Sequence, residues 1–460
     1  MEDELSDLQL YLCILLPCLI GFDDILQVLA QMQTLVNTFK NMHKRKRTPD
    51  SALPFHFKRK RQLWSPLVRS LGPAEFKRHH RISIELFDKI HKKIEASIST
   101  KSKYARKTCC RGKISAVDSR SRLSMTLKHL AGSKIQDIER THGVSRSTVT
   151  QSIYSTLDAI IAEFPIDVFP FDDVEFLQKI ADGFRSKSTG GLFNNVVGVF
   201  DGFLLRISKR CIGNKSGIND PSKYYCRKGY YAVNCQVCCD ANRKILSLSM
   251  LCPGAVPDRL AHSKSKIHRA IETGQLPEPF HFVGDNAYPA SDQLFTPCKR
   301  TELRDDAHGY LDNYNFYLSQ IRINIECCFG MMINKFPILE TALTTTKLET
   351  ATKVFTVCCI LHNLCIDERI INDNLTAQSF PTGKRYTQNA DSDPAHGLLT
   401  NDSDFEYVQT VDETVAAELI NLQENAGTNN IVPCTDNLSA KERMIYKIAA
   451  SGYVRPRRIG

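Results

Sequence analysis

The apolar positions change their period near Val196. Upstream, between residues 75 and 157, they recur at helical spacing. Phe76 opens a segment that closes in Ile84-Glu85-Leu86-Phe87-Asp88-Lys89-Ile90, and Leu123 to Leu130 reads as a further helix. A short helix from Ile135 stops at Gly143, a usual C-terminal cap. Val144 then turns inward and Ser145 can cap a second helix, whose Val149 and Ile153 share a face. From Val196 onward the runs are short and strand-like. Four are predicted: Val196–Ile207, Tyr230–Cys239, Ile245–Cys252 and Phe280–Gly284, with a turn at Asp240-Ala241-Asn242-Arg243. Residues 259–272 are predicted helical, and 165–195 are read as a connection punctuated by Pro165 and Pro170. A long helix is predicted over 314–334, with a core stripe of Leu318, Ile321, Ile325, Cys328, Phe329 and Met332, followed by an apolar helix from Thr352 to Cys365.

That order of elements, three strands, a helix, a strand and then helices, predicts an α/β fold. It would be a ribonuclease H-like mixed sheet flanked by helices, preceded by an all-α helix-turn-helix region. Six divisions follow: an N-terminal helical segment (1–42), a basic linker (43–74), the helix-turn-helix region (75–165), the α/β domain (190–370), an acidic flexible linker (371–440) and a C-terminal basic element (441–460). The apolar run from Leu8 to Ile20 is too short to span a bilayer, contains Pro17 and follows an acidic start, so it is read as a packing helix rather than a signal.

Charge sharpens this picture more than composition does. The formal net charge is +10. From Lys44 to Thr150 there are 27 Lys/Arg against 8 Asp/Glu, whereas from Ile371 to Ala440 there are 2 against 11, so a nucleic-acid-facing front precedes an acidic tail. Two tetrabasic clusters, Lys44-Arg45-Lys46-Arg47 and Lys58-Arg59-Lys60-Arg61, suit nuclear import and contact with DNA phosphates. In the two-helix segment, Arg146, Ser147, Thr148 and Gln151 fall at the N-terminal end of the second helix, where readers of the major groove sit. The alternative is an ordinary helical hairpin. The 17 cysteines include adjacent pairs inside apolar runs and suggest buried, reduced thiols in a nuclear or cytoplasmic chain. The single C-x-x-C, Cys235 to Cys238, lies inside a strand and has no second ligand pair to make a zinc site. Cys358 and His362 share a helix face but lack an orienting acid, so core packing is the expected role of both.

Three acidic residues carry the candidate chemistry. Asp201 follows Val196-Val197-Gly198-Val199-Phe200, Asp285 follows Phe280-His281-Phe282-Val283-Gly284, and Glu326 lies beside the apolar stripe of the long helix. Each alone could be a turn-former, a cap or a surface residue. Each also borders an apolar element, where an unpaired charge is costly and a shared hard cation would relieve it.

At these residues the chain resembles PIF/Harbinger-type transposases and the nucleases derived from them. The resemblance rests on Val199-Phe200-Asp201-Gly202, Tyr225-Cys226-Arg227-Lys228-Gly229-Tyr230, Pro253-Gly254 with Asp258, Gly284-Asp285-Asn286-Ala287-Tyr288-Pro289, Arg322-Ile323-Asn324-Ile325-Glu326-Cys327-Cys328-Phe329-Gly330 and Cys358-Cys359-Ile360-Leu361-His362-Asn363. It covers roughly residues 75–366. It implies a DDE endonuclease or transposase in which Asp201, Asp285 and Glu326 hold a divalent metal, Mg2+ or Mn2+, and water attacks a DNA phosphodiester at transposon ends. A freed 3′-hydroxyl could then join strands. The alternative is a domesticated DNA-binding or scaffold protein with weak or no catalysis. The resemblance also points to a Myb-like DNA-binding partner protein and leaves a homo-oligomer open; no membrane association is expected. Asp258 is either a fourth acidic, metal-holding residue or the N-cap of the 259–272 helix, and Arg227 and Lys228 are either phosphate contacts or a solvated turn. The chain departs from the family pattern at Phe203-Leu204, where Thr-His is common, and at Ala287, where Gly is common.

Overall fold

The computed structural model describes residues 64, 71–99, 117–166, 169–212, 218, 220–306, 308–345, 347–373 and 438–456. The expected N-terminal helices, both tetrabasic clusters and all but the two ends of the acidic linker lie outside the described residues.

Five helices form the front of the molecule: α1 (Pro73–His80), α2 (Ile84–Ile98), α3 (Ser119–Leu130), α4 (Ile135–His142) and α5 (Arg146–Glu163). Local chemistry sets their ends. Ser83, Asp118 and Ser145 each accept a backbone N–H of the following first turn, and α4 stops at Gly143 with φ 62°. Leu86, Ile90, Leu123, Leu127, Ile138, Val149, Ile153 and Leu157 close a shared core between them.

Behind them stands one five-stranded sheet. Its strands are β1 (Val196–Arg206), β2 (Ala232–Cys239), β3 (Ile245–Pro253), β4 (His281–Val283) and β5 (Leu294–Phe295), in the order β3-β2-β1-β4-β5. The pairs β1–β2 and β2–β3 are antiparallel, whereas β1–β4 and β4–β5 are parallel. The sheet is thus mixed and flanked by helices. β5 was not expected: two residues are too few to show any alternation.

The segment 165–195 is not merely a connection. It contains α6 (Val174–Lys187), capped by the Asp173 side chain and packed on β1. Leu177, Ile180, Ala181 and Phe184 give it a buried stripe at helical spacing, beyond the two prolines that end the preceding segment. The expected 259–272 helix is also two helices, α7 (Asp258–His262) and α8 (Lys266–Glu272), because Ser265 leaves the helix to cap the second.

Two long helices cover one face of the sheet. α9 (Tyr310–Lys335) buries the whole expected stripe, and α10 (Leu348–Asp373) packs on β3 and on α9. α10 also joins the front to the sheet: it packs against α2 and α5, and Ser83 donates to Glu368. The described residues accordingly form one compact unit. The C-terminal α11 (Ala440–Ala450) is capped by a reciprocal Ser439–Glu442 box and lies on α9, with Met444, Ile445 and Ile448 buried. Among the described residues no helix is long and apolar enough to cross a membrane.

Candidate active site

The register of β1 and β4 sets the site. These strands are parallel, and Val199 pairs with Val283. Two residues further along each, Asp201 and Asp285 therefore stand side by side on the same face of the pleat. Asp201 is not at a strand end. It is the sixth residue of an eleven-residue strand and sits opposite Val237 of β2. Asp285 lies just beyond β4, at the start of a turn closed by the bond from Tyr288 N to Asp285 O, 3.1 Å.

Phe203, two residues beyond Asp201, points to the same face and stacks on Phe355 of α10 and against Phe329 of α9, with centroids 5.0 and 5.2 Å apart. Glu326 precedes Phe329 by almost one helical turn, so α9 carries it toward Asp201 and Asp285. The departures from the family pattern leave this arrangement alone: Phe203 packs in the core, and Ala287 is exposed.

A guanidinium binds the acids together. Arg322, one turn before Glu326 on α9, donates from Nη1 to Asp285 Oδ1 at 2.6 Å and from Nη2 to Glu326 Oε1 at 3.0 Å. Asp201 is set deeper. Burial pushes its carboxyl up to about 7, the neighbouring charges of Asp285 and Asp258 push the same way, and the Gly202 N–H and Arg322 oppose them. The Gly202 N–H donates to Asp201 Oδ1 at 2.7 Å.

Asp258 comes from the other face. Pro257, not Asp258, is the N-cap of α7, and no side chain caps that helix. Instead, Asp258 Oδ1 accepts from Asn234 Nδ2 at 2.8 Å and from Gln236 Nε2 at 3.2 Å. It also fills the space where a side chain at Gly202 would lie. Successive residues of a strand face opposite ways, so this carboxylate stands across β1 from that of Asp201. Tyr288 completes the network by donating to Gln236 Oε1 at 2.8 Å. The sequence gives no role to Asn234 or Gln236, and shows Tyr288 only as part of the Gly284–Pro289 motif. The two amides look like ordinary strand residues, and only the pairing of Gly202 with Gln236 reveals their face.

The donor set of Asp201, Asp285 and Glu326 is all carboxylate, which suits a hard divalent cation. Yet among the described residues no three His, Cys, Asp or Glu side chains are gathered closely enough to hold a metal ion as they stand. Arg322 takes up one oxygen each of Asp285 and Glu326, two of the oxygens that such an ion would need. The donors therefore fit a metal in chemistry, provided Arg322 yields them.

The remaining expected residues fall as follows. Arg146, Ser147 and Gln151 are exposed at the start of α5; Thr148 is half-buried, with its hydroxyl 2.8 Å from that of Ser145. Arg227 is exposed and Lys228 half-buried, in a turn closed by the bond from Cys226 N to Tyr230 O. Burial lowers the Lys228 amine, and Asp201 is among the charges that raise it. Cys235 and Cys238 are both buried three residues apart on β2, hence on opposite faces, which rules out joint ligation of a zinc ion. Cys358 and His362 are core residues, as expected. The neighbour of His362 is Cys328, 3.6 Å away, and its Nε2 meets Arg243 O at 2.8 Å. Asn363 pairs with both the N–H and C=O of Ile245, so this end of the motif latches α10 to β3.

With this geometry in view, residues 200–363 match the family model of DDE superfamily endonucleases. That segment is similar to a DDE superfamily endonuclease domain. The proteins called "Putative nuclease HARBI1" in Mus musculus and Homo sapiens are 23% and 22% identical to the chain over 228 residues, which is 49% of this chain. The chain spans 60% of the length of these curated relatives. No solved structure matches it. The resemblance to Harbinger transposase-derived nucleases is thus borne out. The matched segment holds Asp201, Asp258, Asp285, Arg322 and Glu326 and extends through the Asn363 latch.

Proposed function

We propose that the chain is a divalent-metal-dependent DNA endonuclease of the DDE type. Asp201, Asp285 and Glu326 are its catalytic carboxylates. The observation that carries this reading is the convergence of β1, the end of β4 and α9 inside the matched segment, with Arg322 joining the last two. The strand order β3-β2-β1-β4-β5 supports reading the domain as ribonuclease H-like.

A bound Mg2+ or Mn2+ would polarise the phosphodiester and activate the attacking water. The residues of the chain do the rest. Asp285 and Glu326 present oxygens from two independently anchored elements, so their separation is fixed by the packing of α9 on the sheet. Burial raises the Asp201 carboxyl to about 7, and the loaded site needs it charged. Arg227 and Lys228 place positive charge on the Asp201 side, where the strand being cut would run. Arg146, Ser147, Thr148 and Gln151 form the further DNA contact on α5, in a helix-turn-helix arrangement. Both tetrabasic clusters direct the chain to the nucleus, with a cytoplasmic pool.

The test is metal-dependent nicking of DNA carrying candidate terminal repeats, with Asp285→Asn as the control. Equal nicking by both proteins sinks the assignment. The Arg322 bridge, which takes up oxygens of Asp285 and Glu326, favours a second reading, a domesticated DNA-binding or scaffold protein. It gains if wild type binds the DNA but leaves it intact at every metal concentration. Strand joining, a Myb-like partner and a homo-oligomer belong to the proposal as further steps of the same pathway.

A further inference from the structure

Arg322 holds two of the three acids by the two ends of one guanidinium. Its charge is permanent, because an arginine does not lose its proton in a protein. It cannot vacate the site by titrating and must move. It has room to do so: its side chain is 26% exposed, with Asp285 at 37% and Glu326 at 46%. Its contact with Asp285 is the only one that ties α9 to the β4 loop across the site by an ion pair among the described residues.

We infer that Arg322 is the resident counter-cation of this site, and that a divalent ion and Arg322 compete for Asp285 and Glu326. The inference rests on reading those carboxylates as metal ligands. A guanidinium supplies a planar fork, and here its two prongs go to two different carboxylates. Its single positive charge offsets the repulsion between the two carboxylates, and it preserves their spacing while the metal is absent. Loading is then an exchange of one cation for another. The guanidinium set free stays at the mouth of the site on α9.

A simple structural brace makes the opposite prediction. If Arg322 only holds the acids in place, its removal lets them part and metal binds more weakly. If Arg322 competes, its removal makes metal bind more tightly. The sign separates the two.

The experiment titrates the full chain, without DNA, with Mn2+, followed by calorimetry and by loss of the free-ion resonance signal. Arg322→Gln should bind Mn2+ about ten-fold more tightly than wild type, the factor that corresponds to one charge-assisted contact. Arg322→Lys keeps the charge but cannot fork to both acids, and should fall between. Unchanged or weaker binding in Arg322→Gln, with a cooperative melting transition, overturns the competition. If Arg322→Gln does not fold, Arg322→Lys decides: tighter binding than wild type supports the inference, and equal or weaker binding overturns it. Asp285→Asn, alone and combined with Arg322→Gln, separates the two levels. Mn2+ binding that survives Asp285→Asn overturns the metal-ligand reading itself. Binding that is lost in Asp285→Asn but not improved by Arg322→Gln overturns only the competition. Absence of Mn2+ binding in both wild type and Arg322→Gln overturns both.

Discussion

The carboxylate of Asp258 rests against the backbone of Gly202, on the face of β1 opposite the Asp201 side chain. A Cβ at 202 would fall inside the contact radius of Asp258 Oδ1 and lie 3.2 Å from Gln236 Nε2. Gly202 is required here by close approach, not by backbone angle. Gly202→Ala should destabilise the protein by about 1–3 kcal/mol, the usual cost of overpacking a core. Chemical denaturation measures it. Asp258→Ala leaves the Asn234 and Gln236 amides short of an acceptor and should cost a similar amount, about 1–3 kcal/mol. In the double variant the clash is gone, so the two costs should add to less than their sum. Full additivity would contradict the described contact.

Tyr288 sits three residues after Asp285 and bonds to Gln236 on β2. Through it, the loop that carries Asp285 is anchored to the strand next to the one that carries Asp201. Tyr288→Phe should lose about 1 kcal/mol of stability, the net value of one hydrogen bond. If the anchor positions Asp285, turnover should fall by more than the folded fraction does, with DNA affinity unchanged. Nicking that merely tracks the folded fraction would reduce Tyr288 to a core residue.

Four buried histidines set the acid limit of the fold. Burial lowers His80 and His262 to about 3, and His142 and His281 to about 4. Their unfolded value is 6.5, so the unfolded chain takes up protons first as pH drops. The stability they represent is present above pH 6.5 and is lost as pH falls from there toward 4. At pH 5 each contributes a loss of up to about 2 kcal/mol. Denaturation midpoints at pH 7, 6 and 5 should fall steadily, and a flat profile would mean these rings are solvated.

Arg146 is exposed at the first position of α5. Arg146→Ala should weaken binding to the preferred DNA sequence by about 1–3 kcal/mol if it reads a base. Nonspecific binding should change less. Equal loss on both kinds of DNA, measured by competition at fixed salt, would make Arg146 a phosphate contact alone.

Much of this was legible in the sequence, and the exceptions have physical causes. β1 to β4 show clear apolar runs, and α9 shows a complete stripe, so the framework of the sheet and its covering helix could be read directly. Three kinds of information were hidden. α6 begins beyond two prolines that make its segment read as a connection, although Asp173 and the 177–184 stripe mark it. β5 has two residues and exists only because β4 is there to pair with. The side of the sheet to which Asp258 belongs depends on β1–β2 register, which a sequence does not print. The triad itself was visible as three acids beside apolar elements. The bridge made by Arg322 was not, since an arginine four residues before a glutamate on a helix is commonplace.

The last described residues act at a distance in the chain. Tyr317 of α9 donates to Val454 O at 3.0 Å, Arg455 pairs with Asp312 at 2.8 Å and bonds to Asn313, and Lys447 reaches Leu192 O just before β1. Every acid of the site has been synthesised once the ribosome passes Glu326, yet the prop beneath α9 is made more than a hundred codons later, beyond the acidic stretch. A chain synthesised only that far would carry all three acids while α9, which bears Glu326, still lacks its contacts with α11 and Arg455. The order of synthesis itself would keep α9 slack until that later segment is made.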